Sequence, residues 1–570
     1  VRVELRDGFW APRQAQHRDH TLAVILERLE EHGSVDNFRR LGSSGPDVPF
    51  RGMHFADSDV HKWMEAAAWA GRLDLLEPVL AAVLEAQDDD GYLHTHYGHD
   101  GRARYQDLDF GHELYCQGHF IEAALAHHAV TGSTEALEAA TRVADHLGAT
   151  FGPGRDDRTD GHPEIELALA RLAARTGRNS DLDLARWMVE SRLAAAGIDL
   201  QHLELAGHAV RALYLATAIA EIALATGEDR WVATAQRLFD QMVDQRSYPT
   251  GAVGGRWLGE AVGQAFELPE AMSYAESCAA VAATRFSARV WHLSGDPRAL
   301  DRVELLLYNA VPAGVAADGE HWFYSQPHAV GPESVESNPW PLPFDYGQAM
   351  LLEWFPPRRH PWFVVPCCPP NLARLAATVD QHVASLDPRG DLWVHLPVAC
   401  RITGGGWDLE VASPWPEGGT LQMRVTESPP GATVRVRRPS AGGTPSAHVV
   451  VRPGGTVDLD ATPTWWGTDP RVEGADGTVV LRCGPVVHCV EGVDLPGVDL
   501  RLLVVDPAQP PERAFGLRGG PGVGLHRPWD GAAQERIHPV TVPTVPYHSW
   551  ANRGPTTMRM RFPVRRGMRG

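Results

Sequence analysis

The chain has 570 residues, 44% apolar and 22% charged, with a formal charge of −20. That length exceeds one ordinary core and predicts two or three domains. The acidic balance argues against a nucleic-acid or anionic-membrane surface, both of which need clustered positive charge. There is no unbroken run of 18 apolar residues to span a bilayer.

Basic residues are nearly all arginine, Lys62 being the only lysine. The opening "VRVELRDGFW" lacks the apolar core of a signal peptide, although its first residue is not Met. Seven cysteines, odd and sparse, do not read as a disulfide framework, and a reducing cytoplasm is the expected location.

From about residue 15 to 385 the sequence predicts long amphipathic helices. "LLEPVLAAVLEAQ", "HFIEAALAHHAVTG", "EIELALARLAARTG", "HAVRALYLATAIAEIALATG" and "CAAVAATRFSARVWHLSG" carry apolar residues at three- and four-residue spacing. Four of them stop at a glycine, Gly132, Gly177, Gly227 and Gly295, suited to a left-handed C-cap. Further helices follow, such as "STEALEAATRVADHL" and "EDRWVATAQRLFDQMV". Such helical hairpins recur roughly every 45 to 70 residues. They fit an (α/α)6 toroid of inner and outer helices, with an open solenoid as the alternative. Beyond Arg389, "DLWVHLPVAC", "WDLEVASPW", "TLQMRVTES", "ATVRVRRPS", "GTVVLRCGPVVHCVEG" and "TMRMRFPVRR" predict short strands. The expected division is residues 1–388 for the helical barrel and 389–570 for a β-sandwich region of one or two domains. The Pro- and Gly-rich stretch Asp506 to Asp530 is expected to be irregular.

Polar residues interrupt this pattern at related points. His112, His162 and His208 each stand at a helix start, where each could cap its own helix or line one mouth of a toroid. "QDDDGYLHTHY", Gln87 to Tyr97, offers groups able to bind a polyol. A Gly-rich loop before Glu260 lacks the Lys and Ser/Thr of a phosphate loop. Glu276 and Cys278 lie two apart, and "PCCPP" sets Cys367 beside Cys368. One carboxylate and three thiols suit tetrahedral zinc. A vicinal disulfide and unrelated buried thiols remain open from spacing alone.

Together, "GEAVGQAFELPEAMSYAESCAA", "PCCPPNLARL", "HELYCQGHFIEAA", "GHPEIELAL" and "DGYL" resemble glycoside hydrolase family 127, the β-L-arabinofuranosidase group, and the related family 146. The resemblance spans about residues 5 to 400. It implies an α/α six-barrel followed by β-sandwich domains, and a zinc-dependent retaining exo-glycosidase that releases a terminal furanose through a thioglycosyl-cysteine intermediate. By motif position Glu276, Cys278, Cys367 and Cys368 would bind Zn2+, Cys367 would be the nucleophile and Glu260 the acid/base. His112, His162, His208 and Tyr324 would contact the sugar. "RWL" before Glu260 and His61 in "DSDVHKWMEA" depart from the family pattern. The expected partner is the non-reducing end of a small carbohydrate or glycan, without nucleic acid or membrane, and a homodimer is allowed.

Rival readings are a family member acting on another furanose or related sugar, a toroid epimerase or unsaturated-uronide hydrolase, and a non-catalytic carbohydrate-binding protein with structural zinc. Within the glycosidase reading, a carboxylate pair of Glu260 with Glu270 or Glu276 is the alternative to a cysteine nucleophile.

Overall fold

The computed structural model describes residues 1–271, 273–332, 358–441, 444–452, 454–508, 511–513, 521–527 and 538–564. Six helices form an inner ring: Asp57–Trp69, Glu113–Thr131, Ile165–Thr176, Ala209–Thr226, Ser277–Ser294 and Cys368–Ala376. Each packs on the next, and the last packs on both Ser277–Ser294 and Asp57–Trp69, which closes the toroid. The outer helices include Leu73–Glu85, Glu135–Thr150, Asn179–Ala195, Asp229–Gln245 and Pro297–Tyr308. Four inner helices end at the expected glycines, whose φ values of 75, 76, 66 and 67° only glycine adopts freely. Ala209–Thr226 is long and apolar enough to cross a membrane by composition, yet it is an inner ring helix packed against its neighbours.

A ring of six helices leaves an axis that apolar side chains do not fill. Below its upper mouth the ring holds buried charges in alternation. Arg374 Nη1 lies 2.9 Å from Glu65 Oε2 and Arg285 Nη1 3.2 Å from Glu122 Oε2, while Arg171 Nε and Arg289 Nε each lie 2.7 Å from Glu221 Oε1. Arg374 also donates to Tyr214 Oη at 2.7 Å and to Asn371 Oδ1 at 2.6 Å. Burying these charges is tolerable only because each has a partner.

The strands form two β units. In the first, Arg2–Leu5, Cys400–Gly404, Trp407–Ala412, Gly419–Glu427 and Thr456–Leu459 make an antiparallel sheet. The chain's first strand therefore pairs with residues some 400 positions away. Along Trp407–Ala412, Trp407, Leu409 and Val411 face the core and the residues between them do not, as a half-buried strand requires. Ala384–Leu386, Leu392–Val394, Val434–Arg438 and Ala447–Val451 form its partner sheet.

The second unit contains a seven-stranded sheet that takes Ala329–Val330 from the barrel segment, beside a four-stranded sheet. In that smaller sheet Pro521–Arg527 pairs along its length with His538–Pro543, and Glu512–Arg513 pairs with Pro521–Gly522. The expected irregular stretch is thus corrected in part: a distant partner supplies a ladder that local Pro and Gly content conceals. Residues 509–510, 514–520 and 528–530 of that stretch lie outside the described residues. Arg437 ties barrel to sheet, with Nη2 2.9 Å from Glu304 Oε2.

Replacing Arg374 by Met should lower stability by about 3–5 kcal/mol, because Glu65 loses a buried partner. Chemical denaturation measures this, and an unchanged midpoint would show that the axial charges are not mutually dependent.

Candidate active site

Five inner-helix N-termini carry the predicted residues or their neighbours. His112, Glu164, His208, Glu276 and Cys367 are the capping positions of successive ring helices. The partial positive charge of helix N-termini favours anions, so this mouth suits carboxylates and thiolates.

The histidines meet along one wall. His112 and His162 have ring centroids 5.7 Å apart, and His162 and His208 5.9 Å. His112 sits in left-handed backbone at φ 56° and does not cap its helix. Asp160 does so instead, its Oδ2 accepting from Leu114 N at 2.9 Å, while Oδ1 lies 3.4 Å from His112 Nδ1. His162 Nδ1 donates to the Pro163 carbonyl at 2.9 Å, and burial holds the ring well below its ordinary pKa. It is therefore neutral, with Nε2 the acceptor nitrogen. His208 answers both readings of the sequence. Its Nδ1 accepts from Val210 N at 3.2 Å, a true N-cap, which leaves Nε2–H to face Glu260 Oε2 at 3.1 Å.

Glu260 stands in a short turn, Leu258–Glu260, at φ 51°. Such backbone costs on the order of 1–3 kcal/mol and persists when its surroundings hold it. Val262 N donates to Gly207 O at 2.9 Å, which straps the loop beside His208. Tyr274 Oη donates to Glu260 Oε1 at 2.5 Å, and Tyr324 Oη lies 3.4 Å from the same oxygen. Burial would raise this carboxyl's pKa, but His208, Tyr274 and Arg211 together hold it below the usual range. Glu270, the other candidate for a carboxylate pair, points away and lies 3.2 Å from Arg561 Nε.

Beside Glu260 the four sulfur and carboxylate donors converge. Cys278 Sγ is 3.4 Å from Cys368 Sγ, Cys367 Sγ is 3.8 Å from Cys368 Sγ, and Glu276 Oε1 is 3.5 and 3.7 Å from Cys367 and Cys368. All four donor atoms fall within 4.8 Å of one another. All seven cysteines are free, so Cys367 and Cys368 form no vicinal disulfide. Burial, followed by the proximity of Cys367 and Glu260, pushes Glu276 well above its ordinary pKa. Hydrogen bonding to Cys278 pushes Cys367 up, and burial does the same to Cys368. Cys278 itself resists burial through hydrogen bonds from Cys367 and Cys368 and falls to about 6. These four donors are a buried group able to bind a metal ion.

Every predicted site residue lies in this assembly. Tyr324 Oη is 3.6 Å from Cys367 Sγ and so stands between the cluster and Glu260. Three further residues were not singled out by the sequence: Asp160, Arg211 and Tyr274. Tyr274 Oη reaches Glu276 Oε2 at 3.0 Å as well as Glu260, because left-handed Ala275 (φ 39°) turns the chain between them. Several groups of the loop Gln87 to Tyr97, expected to bind a polyol, are engaged within the protein. Tyr92 bonds Glu113, Thr95 Oγ1 donates to Asp57 at 2.5 Å, and Asp88 and Asp90 pair with Arg104. His61 is buried outside the site, its Nδ1 2.9 Å from the Cys116 carbonyl.

Comparison with known proteins gives a consistent picture. Residues 2–381 match the family model for the β-L-arabinofuranosidase GH127 catalytic domain, and residues 463–563 match that for the glycoside hydrolase family 127 C-terminal domain. The chain is 31% identical to a non-reducing end β-L-arabinofuranosidase of Bifidobacterium longum subsp. longum, over 90% of each chain. It superposes on a GH127 β-L-arabinofuranosidase from Geobacillus stearothermophilus T6 with a TM-score of 0.88 and 28% identity, covering 99% of this chain and 100% of that one. A second GH127 β-arabinofuranosidase structure gives 0.84 and 25%, covering 99% and 96%.

His208→Asn should keep the helix cap, which asparagine supplies well, and lose the contact to Glu260. Turnover should fall at least about tenfold while the melting temperature stays close to that of the parent, whereas His208→Ala should also lose about 1 kcal/mol of stability. Normal kinetics in His208→Asn would reduce His208 to a cap.

Proposed function

Because the chain belongs to glycoside hydrolase family 127, we propose that it is a zinc-dependent retaining exo-β-L-arabinofuranosidase with Cys367 as nucleophile and Glu260 as acid/base. The observation that carries this reading is the position of Tyr324 Oη, 3.6 Å from Cys367 Sγ and 3.4 Å from Glu260 Oε1. Those contacts keep sulfur and carboxylate within about 7 Å of each other, an upper bound that admits the separation of about 5–5.5 Å found in retaining pairs. Relatives named as β-L-arabinofuranosidases support the choice of sugar.

Glu276, Cys278, Cys367 and Cys368 would hold the zinc. Tetrahedral Zn–S bonds of about 2.3 Å set sulfurs about 3.8 Å apart, and the sulfur pairs here lie at 3.4 and 3.8 Å. When bound, zinc would keep the thiols ionised at neutral pH, where a free cysteine with pKa about 8.5 is mostly protonated.

His112, His162, His208 and Tyr324 would orient the sugar hydroxyls, neutral His162 accepting at Nε2. Cys367 Sγ attacks the anomeric carbon as the bond to the leaving oxygen breaks, giving a thioglycosyl intermediate. Glu260 protonates that oxygen. It takes that proton up from solvent, and the hydrogen bonds of His208 Nε2 at 3.1 Å and Tyr274 Oη at 2.5 Å stabilise the carboxylate left behind. Glu260, ionised again, then takes a proton from water, which displaces sulfur and restores the original configuration. In this reading residues 1–388 supply the catalytic barrel, with Arg2–Leu5 lent to the β region, and residues 389–570 brace it.

Two variants test the assignment on 4-nitrophenyl β-L-arabinofuranoside. Glu260→Gln should release a burst of nitrophenolate and then stall, since this leaving group needs little protonation but water still needs a base. Cys367→Ser should show no burst and lose at least about 1000-fold in turnover, the scale of a lost nucleophile. Continued turnover by Cys367→Ser with retained configuration would move the nucleophile to a carboxylate.

A further inference from the structure

A second cavity lies behind the catalytic helix, between barrel and C-terminal β unit. Its volume is about 310 Å³. One wall is a single face of Cys368–Ala376, formed by Pro369, Leu372, Ala373 and Ala376 at helical spacing. The opposite wall comes from the N-terminal helix, with Trp10, Arg13 and His17. Val311, Val315 and Trp322 make the remainder largely apolar.

The polar groups of this cavity are incompletely used. Trp10 and His17 are 4% and 5% exposed, yet Trp10 Nε1 and His17 Nε2 have no hydrogen-bond partner among the described residues. A buried indole N–H without an acceptor is destabilising, and an acceptor supplied by a ligand would relieve it. Arg13 donates to the Phe9 carbonyl at 2.8 Å but has no carboxylate partner among the described residues. Burial lowers its pKa to about 10. Arg359, close behind, donates to the carbonyls of Ala313 and Trp550 at 2.9 and 2.8 Å, and burial lowers it to about 10 as well. Among the described residues no acidic side chain lines the cavity. Apolar walls with a cation and an unused donor at one end describe a complement to a small amphipathic anion.

We propose that this cavity binds a small organic carboxylate with an apolar body, its carboxylate toward Arg13 and Trp10 Nε1 and its body against the rear face of the catalytic helix. The site is separate from the sugar pocket and does not depend on the sugar assigned there.

Titration calorimetry of the full chain with 3-phenylpropionate tests this, beside the uncharged 3-phenylpropionamide. The acid should bind one site with Kd on the order of 1 mM, the range expected of a fragment this size. The amide should bind at least about tenfold more weakly, as should Arg13→Met towards the acid, since each removes a charge-assisted contact. Ala376→Phe, which fills the cavity from its rim, should abolish binding. Absence of saturable binding by the acid overturns the proposal. So does equal affinity for acid and amide, a comparison that stands even if a variant fails to fold. Undiminished binding by folded Ala376→Phe would place the ligand elsewhere and also overturn it.

Discussion

Three sulfurs and a carboxylate packed within 4.8 Å of one another repel when ionised and gain little from being together when neutral. The rest of the upper mouth is arranged around that difficulty. The four donors enter in pairs on adjacent inner helices, Glu276 and Cys278 at the start of Ser277–Ser294 and Cys367 and Cys368 at the start of Cys368–Ala376. Each helix brings its positive end to the cluster. The two starts lie side by side because these are the fifth and sixth inner helices, and closure of the ring sets the sixth against the first as well. A solenoid of stacked hairpins would leave its first and last pairs apart.

The same closure accounts for the axial charges. Arg374, one turn and a half below Cys368, is anchored to Glu65 on the first inner helix and Tyr214 on the fourth. The helix that carries the cysteine pair is therefore gripped from across the ring, and its register is set by polar contacts that tolerate little sliding. Tyr274 and Tyr324 then join the cluster to Glu260, and His208 joins Glu260 to the histidine wall. Sulfur, carboxylate and imidazole are parts of one hydrogen-bonded assembly. A displacement at one end would be felt at the other.

Much of this was legible in the sequence because it is local. Helices with a 3.6-residue period and a glycine stop need no distant information, and the five motifs that resemble family 127 named the four donors of the cluster and the neighbouring Glu260 before any coordinates. What was illegible depends on chain segments meeting from afar. Asp160 caps a helix it does not precede, Tyr274 reaches Glu276 through a left-handed alanine, and Pro521–Arg527 becomes a strand through His538–Pro543. Polar residues such as those of the Gln87 to Tyr97 loop advertise binding equally whether their partner is a ligand or, as for Thr95 with Asp57 and Tyr92 with Glu113, the protein itself.

The central claim is that the four donors hold one metal ion through sulfur. X-ray absorption at the zinc edge, on full-length protein purified without chelator, tests it most directly. The account predicts about one zinc per chain, a shell of three sulfurs at about 2.3 Å and one oxygen, and loss of that shell in Cys278→Ser. Protein that hydrolyses the glycoside at full rate with no bound metal, or zinc surrounded only by nitrogen and oxygen, would contradict it.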